Sequence, residues 1–159
     1  MPFIQKNEKV IGLHKVGKIH IGMQADELYG YYDYESLELF DQFLEATFSP
    51  AFSIKNELGE VELVAELDCN VIWRVKVFSP DYKTEEDLHI GSTLGDLKKH
   101  FAFNEVLQGE GNVAVSSKER KLSFLLDVLQ MDELGIDIFK KLEIDDIPDS
   151  IRVAAILVL

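Results

Sequence analysis

The sequence predicts an α+β fold, an antiparallel sheet with helices packed on one face, built from two tandem repeats of about 70 residues. Three observations predict it. Ile19-His20-Ile21-Gly22 returns 69 residues later as Leu88-His89-Ile90-Gly91, and at the same offset Glu27-Leu28 faces Asp96-Leu97 and Tyr32 faces Phe101. Each copy closes on a hydrophobic strand, Val71 to Phe78 in one and Ile151 to Leu159 in the other. Between these landmarks Val61, Leu63, Ala65 and Leu67 alternate with Glu62 and Glu66, the pattern of a sheet with one greasy side and one charged side.

The repeat units are 15–80 and 84–159, within a single domain covering 1–159. Each begins with a short strand, a glycine turn and an amphipathic helix. In the second unit Thr93 and Asp96 have capping-box spacing, and Leu94, Leu97 and Phe101 share a helical face. In the first unit a helical segment with Leu37, Phe40 and Leu44 on one face carries Glu38, Asp41 and Glu45 on another. A meander follows: Phe52 to Asn56, Val61 to Leu67 after a turn at Leu58-Gly59, and Val71 to Phe78 after a turn at Asp68-Cys69-Asn70. In the last strand Trp73, Val75 and Val77 oppose Arg74 and Lys76, which predicts a buried Trp73. Ser79-Pro80-Asp81 joins the units. In the second, Val113 to Val115 and Leu122 to Leu126 form a hairpin, Asp132 to Leu142 reads as helix, and Pro148 ends the connection to the final strand.

Composition narrows the function. With 47% hydrophobic and 28% charged residues, the 159-residue chain is neither a disordered tail nor a fibre. Sixteen Lys and Arg against 29 Asp and Glu leave a net charge of −13, which repels phosphate backbones and anionic lipid, so neither nucleic acid nor membrane is an expected partner. Met1 to Lys9 lacks the apolar run of a signal peptide, and the single cysteine, Cys69, suits a reducing compartment; a cytoplasmic location is expected. Cys69 has an acidic neighbour and no nearby His, Gly109-Glu110-Gly111-Asn112 reads as a hairpin turn, and Asp145, Asp146 and Asp149 lack the glycine and closing Glu of a calcium loop. The reading is therefore non-enzymatic, with no cofactor and no metal.

The pattern Phe78-Ser79-Pro80, Lys83-Thr84, Ile90-Gly91-Ser92-Thr93 and Asp96-Leu97, together with Ile21-Gly22-Met23, resembles that of small bacterial proteins with tandem BLIP-like units, the β-lactamase inhibitor protein type. Its motifs set glycines and helix caps and bring no catalytic residue. The resemblance implies a fold and a role in protein binding or inhibition.

Charge is concentrated. From Asp26 to Asp68 twelve acids stand against one base, Lys55, a net of −11, and the same segment holds four of the five tyrosines. Tyr31, Tyr32, Tyr34, Glu35, Glu38, Asp41 and Glu45 are the candidate partner-binding residues, tyrosines as anchors and carboxylates as steering charges. A solvated acidic face that aids solubility is the competing interpretation. The expectation is an inhibitor or immunity protein that occludes the active site of a basic partner, a toxin or an enzyme. The alternative is a small-molecule or metal-binding protein that uses the polar side of the sheet, with His20, His89, Arg74 and Lys76 turned inward.

Overall fold

Strand rather than helix is the main regular structure of the chain. The computed structural model describes residues 9–44 and 46–159. It opens with β1 (Val10–Gly12), β2 (Lys15–Val16) and β3 (Ile19–His20), followed by 3-10 helices at Ala25–Gly30 and Tyr34–Ser36. Four long strands come next: β4 (Leu37–Leu44), β5 (Thr47–Lys55), β6 (Val61–Asp68) and β7 (Val71–Val77). After β8 (Lys83–Thr84) and the short helix α1 (Leu94–Lys98) lie β9 (Leu107–Gly109), β10 (Asn112–Ser117) and β11 (Leu122–Leu126). Helix α2 (Val128–Glu133), a 3-10 turn (Ile144–Asp146) and β12 (Val153–Val158) complete the chain.

The large sheet is antiparallel throughout, in the order β4-β5-β6-β7-β12-β11-β10-β9; β3-β2-β1-β8 form a small mixed sheet. This corrects the α+β expectation. Strand makes up 42% of the structure and helix 16%, and the helices are short, six residues at most, rather than a packed layer. Two segments account for the difference. Leu37–Leu44, expected as a helix from apolar residues at i, i+3 and i+7, pairs with β5 along its whole length, from Leu37↔Ile54 to Leu44↔Thr47. The β-favouring β5 beside it decides the conformation, because a cross-strand ladder outweighs a weak helical periodicity. In place of a helix from Asp132 to Leu142, α2 starts where the Asp127 carboxylate accepts the Gln130 N–H. It stops at Gly135, whose φ of 76° lets the Ile136 N–H reach the Met131 carbonyl.

One face of the large sheet holds the core, with Phe52, Leu63, Val75, Phe124 and Ile156 buried on it. The small sheet covers it through Ile11, Val16 and Ile19, and the short helices cover it through Leu28, Leu97 and Met131.

The two copies of the tetrapeptide correspond bond for bond. Gly22 (φ 96°) donates to the Ile72 carbonyl at 2.7 Å, and Ile72 donates to the Met23 carbonyl at 2.9 Å; Gly91 (φ 97°) donates to Val153 at 2.9 Å, and Val153 donates to Ser92 at 2.7 Å. Both glycines occupy backbone space that a Cβ disfavours. Thr93 and Asp96 close a reciprocal cap on the helix that follows, and at the equivalent place in the first copy the Glu27 carboxylate accepts the Gln24 N–H at 2.8 Å. The offset of 81 residues from Ile72 to Val153 carries Lys76 onto Leu157, and Lys76 and Leu157 are themselves partners in the β7–β12 register. A pseudo-twofold axis therefore passes between these two residues at the centre of the sheet.

Trp73 is a second correction. The β6–β7 register jumps between Glu66↔Arg74 and Leu67↔Ile72, leaving Trp73 as the extra residue of a bulge. Alternation breaks there, so Ile72 takes the core position and Trp73 is 41% exposed. Its counterpart Ala154 occupies the same kind of bulge, between Leu125↔Ala155 and Leu126↔Val153.

Candidate functional site

The candidate site grows from the place where β5 leaves the sheet. Pairing of β5 with β6 begins at Ala51↔Glu66, whereas pairing with β4 continues outward through Asp41↔Pro50 and Phe43↔Phe48. Pro50, with no N–H to donate, sits just outside the β6 ladder, as a proline in a strand must. Beyond it the β4–β5 hairpin is, among the described residues, a two-stranded arm with no third strand paired to it.

On the arm, residues 39, 41 and 43 point to the core side of the sheet and residues 38, 40 and 42 to the opposite side. At its base Leu39 lies across from the buried Phe52, and among the described residues Leu39 (60% exposed), Phe43 (62%) and Phe48 (70%) stay largely uncovered. The rings of Phe43 and Phe48 meet at 5.0 Å. Tyr34, 79% exposed, stacks on Tyr29 at 5.7 Å, and Tyr29 meets Phe52 edge-on at 5.9 Å. Between the 3-10 helix and the arm, a depression of about 300 Å³ is floored by Leu39, Phe52 and Leu67, with Asp26 on its rim. An exposed apolar patch on an edge hairpin, bordered by carboxylates, has the anatomy of a docking surface: anchor pockets in the middle and charge around them.

The sequence-predicted residues divide among several settings. Tyr31, Tyr34, Glu35 and Asp41 are exposed. Tyr32 packs against the core and has a structural role. Glu38 is paired with Lys55 and lies on the opposite side of the arm from Asp41, so the single acidic face expected of a helix is not formed. Glu45 lies outside the described residues. A helical reading of Leu37–Leu44 gives Phe40 and Leu44 the apolar role and hides Leu39 and Phe43, which a period of two over the same residues finds; Phe48 then follows as the cross-strand partner of Phe43. His20 is exposed, its N–H bonded to Met23 Sδ, and His89 Nδ1 donates to the Ile90 carbonyl at 2.7 Å. Among the described residues no group of three His, Cys, Asp or Glu is placed to hold a metal. No helix among them is long and apolar enough to cross a membrane.

The opposite side of the sheet carries a second feature. Glu66 accepts hydrogen bonds from Arg74 at both carboxylate oxygens, one of them from Nη2 at 3.0 Å, and from Gln42 Nε2 at 2.9 Å. The Arg74 guanidinium also lies over the Trp73 ring, 4.6 Å from its centroid. Arg74, Trp73 and Lys76 line a cleft of about 390 Å³ whose walls come from the β4–β5 arm (Thr47, Ser49) and the β9–β10 hairpin (Glu110, Asn112). The large sheet is therefore curled, bringing its two outer hairpins to one opening.

No family model and no curated protein sequence matches the chain. Among solved structures it is similar to the crystal structure of the uncharacterized protein YfeY from Escherichia coli, with a TM-score of 0.58 and 12% sequence identity over 94% of this chain and 95% of that one. The similarity shows a shared fold.

Proposed function

We propose that the protein is a non-enzymatic binding module of the inhibitor or immunity type, which docks the β4–β5 arm on a basic protein, a toxin or an enzyme, and occludes its active site. The observation that carries this reading is the patch of Leu39, Phe43, Phe48 and Tyr34, exposed among the described residues, in the most acidic stretch of the chain. Tyrosine and phenylalanine supply buried contact area, and the surrounding carboxylates steer a cationic surface into place and select it over acidic competitors. The depression beside Tyr29 suits a Lys or Arg side chain, its aliphatic stem on Leu39 and Phe52 and its charge at Asp26. A second copy of this chain is the wrong occupant, because it would bring Asp41 and its acidic neighbours against themselves. The tandem BLIP-like resemblance of the Gly22 and Gly91 motifs supports the same class of function.

The test is affinity capture from native cell extract at low salt, with identification of the bound protein and measurement of its kinetics. The proposal expects a stoichiometric basic protein that elutes as salt rises. The double variant Phe43→Ser, Phe48→Ser, on residues outside the core, is expected to retain its fold and dissociate faster by tenfold or more, the consequence of losing about 2 kcal/mol at a hot spot. Asp41→Lys is expected to slow association at low salt and less at 0.5 M, a concentration chosen to screen exposed charges. Equal binding by all three proteins would overturn the assignment.

A further inference from the structure

The pseudo-twofold axis supplies an internal control for what the fold needs. Cross-strand partners Ala51–Glu66–Arg74 in the first unit correspond to Ala114–Leu125–Ala155 in the second, and bulge residue Trp73 corresponds to Ala154. The second unit thus builds the same sheet corner, with the same bulge, from Leu and Ala. A buried ion pair is not required to hold that corner, and one commonly stabilises less than the apolar side chains it replaces. The first unit nevertheless carries Glu66, 1% exposed, with Arg74 and Gln42 arranged around it.

The cleft lies on the axis. Its walls are equivalent pairs, Ser49 with Asn112 and Thr47 with Glu110, and its floor is the equivalent pair Lys76 and Leu157. The symmetry is broken by charge: Lys76 and Arg74 on one side, Leu157 and Leu125 on the other. Glu66 compensates Arg74 and fixes its guanidinium against Trp73, leaving its Nη1 edge available. Lys76 is half-buried, and among the described residues its Nζ makes no hydrogen bond or ion pair. An unpaired ammonium in a cleft of a chain with net charge −13 calls for an anion, while the apolar half of the floor calls for a hydrocarbon or ring. Glu110 at the rim disfavours a dianion.

From this geometry we infer that the cleft binds a small monoanionic organic acid with an apolar body, its carboxylate on Lys76 and Arg74 and its body between Trp73, Leu125 and Leu157. This site is on the opposite side of the arm from the docking patch and stands on its own observations. Trp73, the single tryptophan of the chain, reports on it directly.

The experiment titrates the full-length protein with octanoate, 1-octanol and inorganic phosphate, following Trp73 emission and the heat of binding. Octanoate is expected to saturate both signals, with octanol and phosphate weaker by about tenfold or more, the worth of one charge-assisted hydrogen bond. Lys76→Met, which places an apolar side chain where the other unit has Leu157, should reduce octanoate affinity by a similar factor with an unchanged circular dichroism spectrum. Lys76→Gln substitutes for it should the Met variant not fold. No saturable response to octanoate, phosphate binding as tight as octanoate, or wild-type affinity in a folded Lys76 variant would each overturn the inference.

Discussion

Glu66 occupies a sheet position where the second unit has Leu125, and its carboxylate is satisfied only because Arg74 and Gln42 both donate to it. Removing one partner of such a pair leaves a buried charge exposed to no water. Arg74→Ala is therefore expected to cost about 3 kcal/mol in urea unfolding, whereas the double variant Glu66→Leu, Arg74→Ala, which restores the residues of the second unit, should recover most of that loss. Additive losses would show that the pair stabilises the fold outright. At the surface, Asp96 behaves differently. Its carboxylate accepts the Thr93 N–H at 3.0 Å while Thr93 Oγ accepts the Asp96 N–H at 3.1 Å, and the backbone and side-chain bonds to Thr93 hold the carboxyl below its usual range. A depressed folded-state value means that the cap contributes above the pKa of an unfolded aspartate and is lost as pH falls through the folded value. Stability curves of wild type and Asp96→Asn should therefore differ at pH 7 and converge in the acid limb; a constant gap down to the acid transition would contradict the cap. Trp73 marks what residue patterns alone miss. Strict alternation puts it in the core with Val75 and Val77, and a single inserted residue at the Glu66–Arg74 step puts Ile72 there instead. No side-chain property of Trp73 announces a bulge, because the bulge is a mismatch between two strands.

At the scale of elements, the short antiparallel pieces were legible. Val61 to Leu67 and Leu122 to Leu126 alternate or run apolar between turn residues, and the Cys69-Asn70 turn (φ 50° and 64°) and the Glu110-Gly111 turn (φ 51° and 77°) have the left-handed geometry that tight hairpins need. The capped start of α1 was legible for the same reason, since Thr93 and Asp96 act locally. Strand β4 was not. Leu37, Phe40 and Leu44 fit a helix by their spacing, and what selects the strand is pairing with β5, from Leu44↔Thr47 out to Leu37↔Ile54, which a helical window over Leu37–Leu44 does not weigh. The patch of Leu39, Phe43 and Phe48 exists only in the extended conformation. The arm is also the element where stability and binding separate. Phe43→Ser and Phe48→Ser remove exposed rings and should shift the unfolding free energy by less than about 1 kcal/mol, whereas Phe52→Ala at the base of the same hairpin removes a buried ring and should cost about 3–5 kcal/mol.

Across the whole molecule, two β-meanders meet back to back through β7 and β12, and their outer hairpins curl toward one another over the open side of the sheet. The positions of the recurring tetrapeptide were readable because Gly22 and Gly91 answer the same backbone demand; the mostly-β character was not, because the helices that the pattern suggests are only five or six residues long where the small sheet helps to close the core. The acidity of the first unit is likewise a property of the whole, concentrated beside the arm and nearly balanced elsewhere. Amide hydrogen exchange on the captured complex, compared with the free protein, shows whether the β4–β5 arm is the docking face. Docking through the arm slows exchange in Tyr29–Tyr34 and in the unpaired edge amides of Leu37–Phe43, with little change in β9 and β10. Protection confined to β9 and β10, with the arm exchanging as in the free protein, would contradict it.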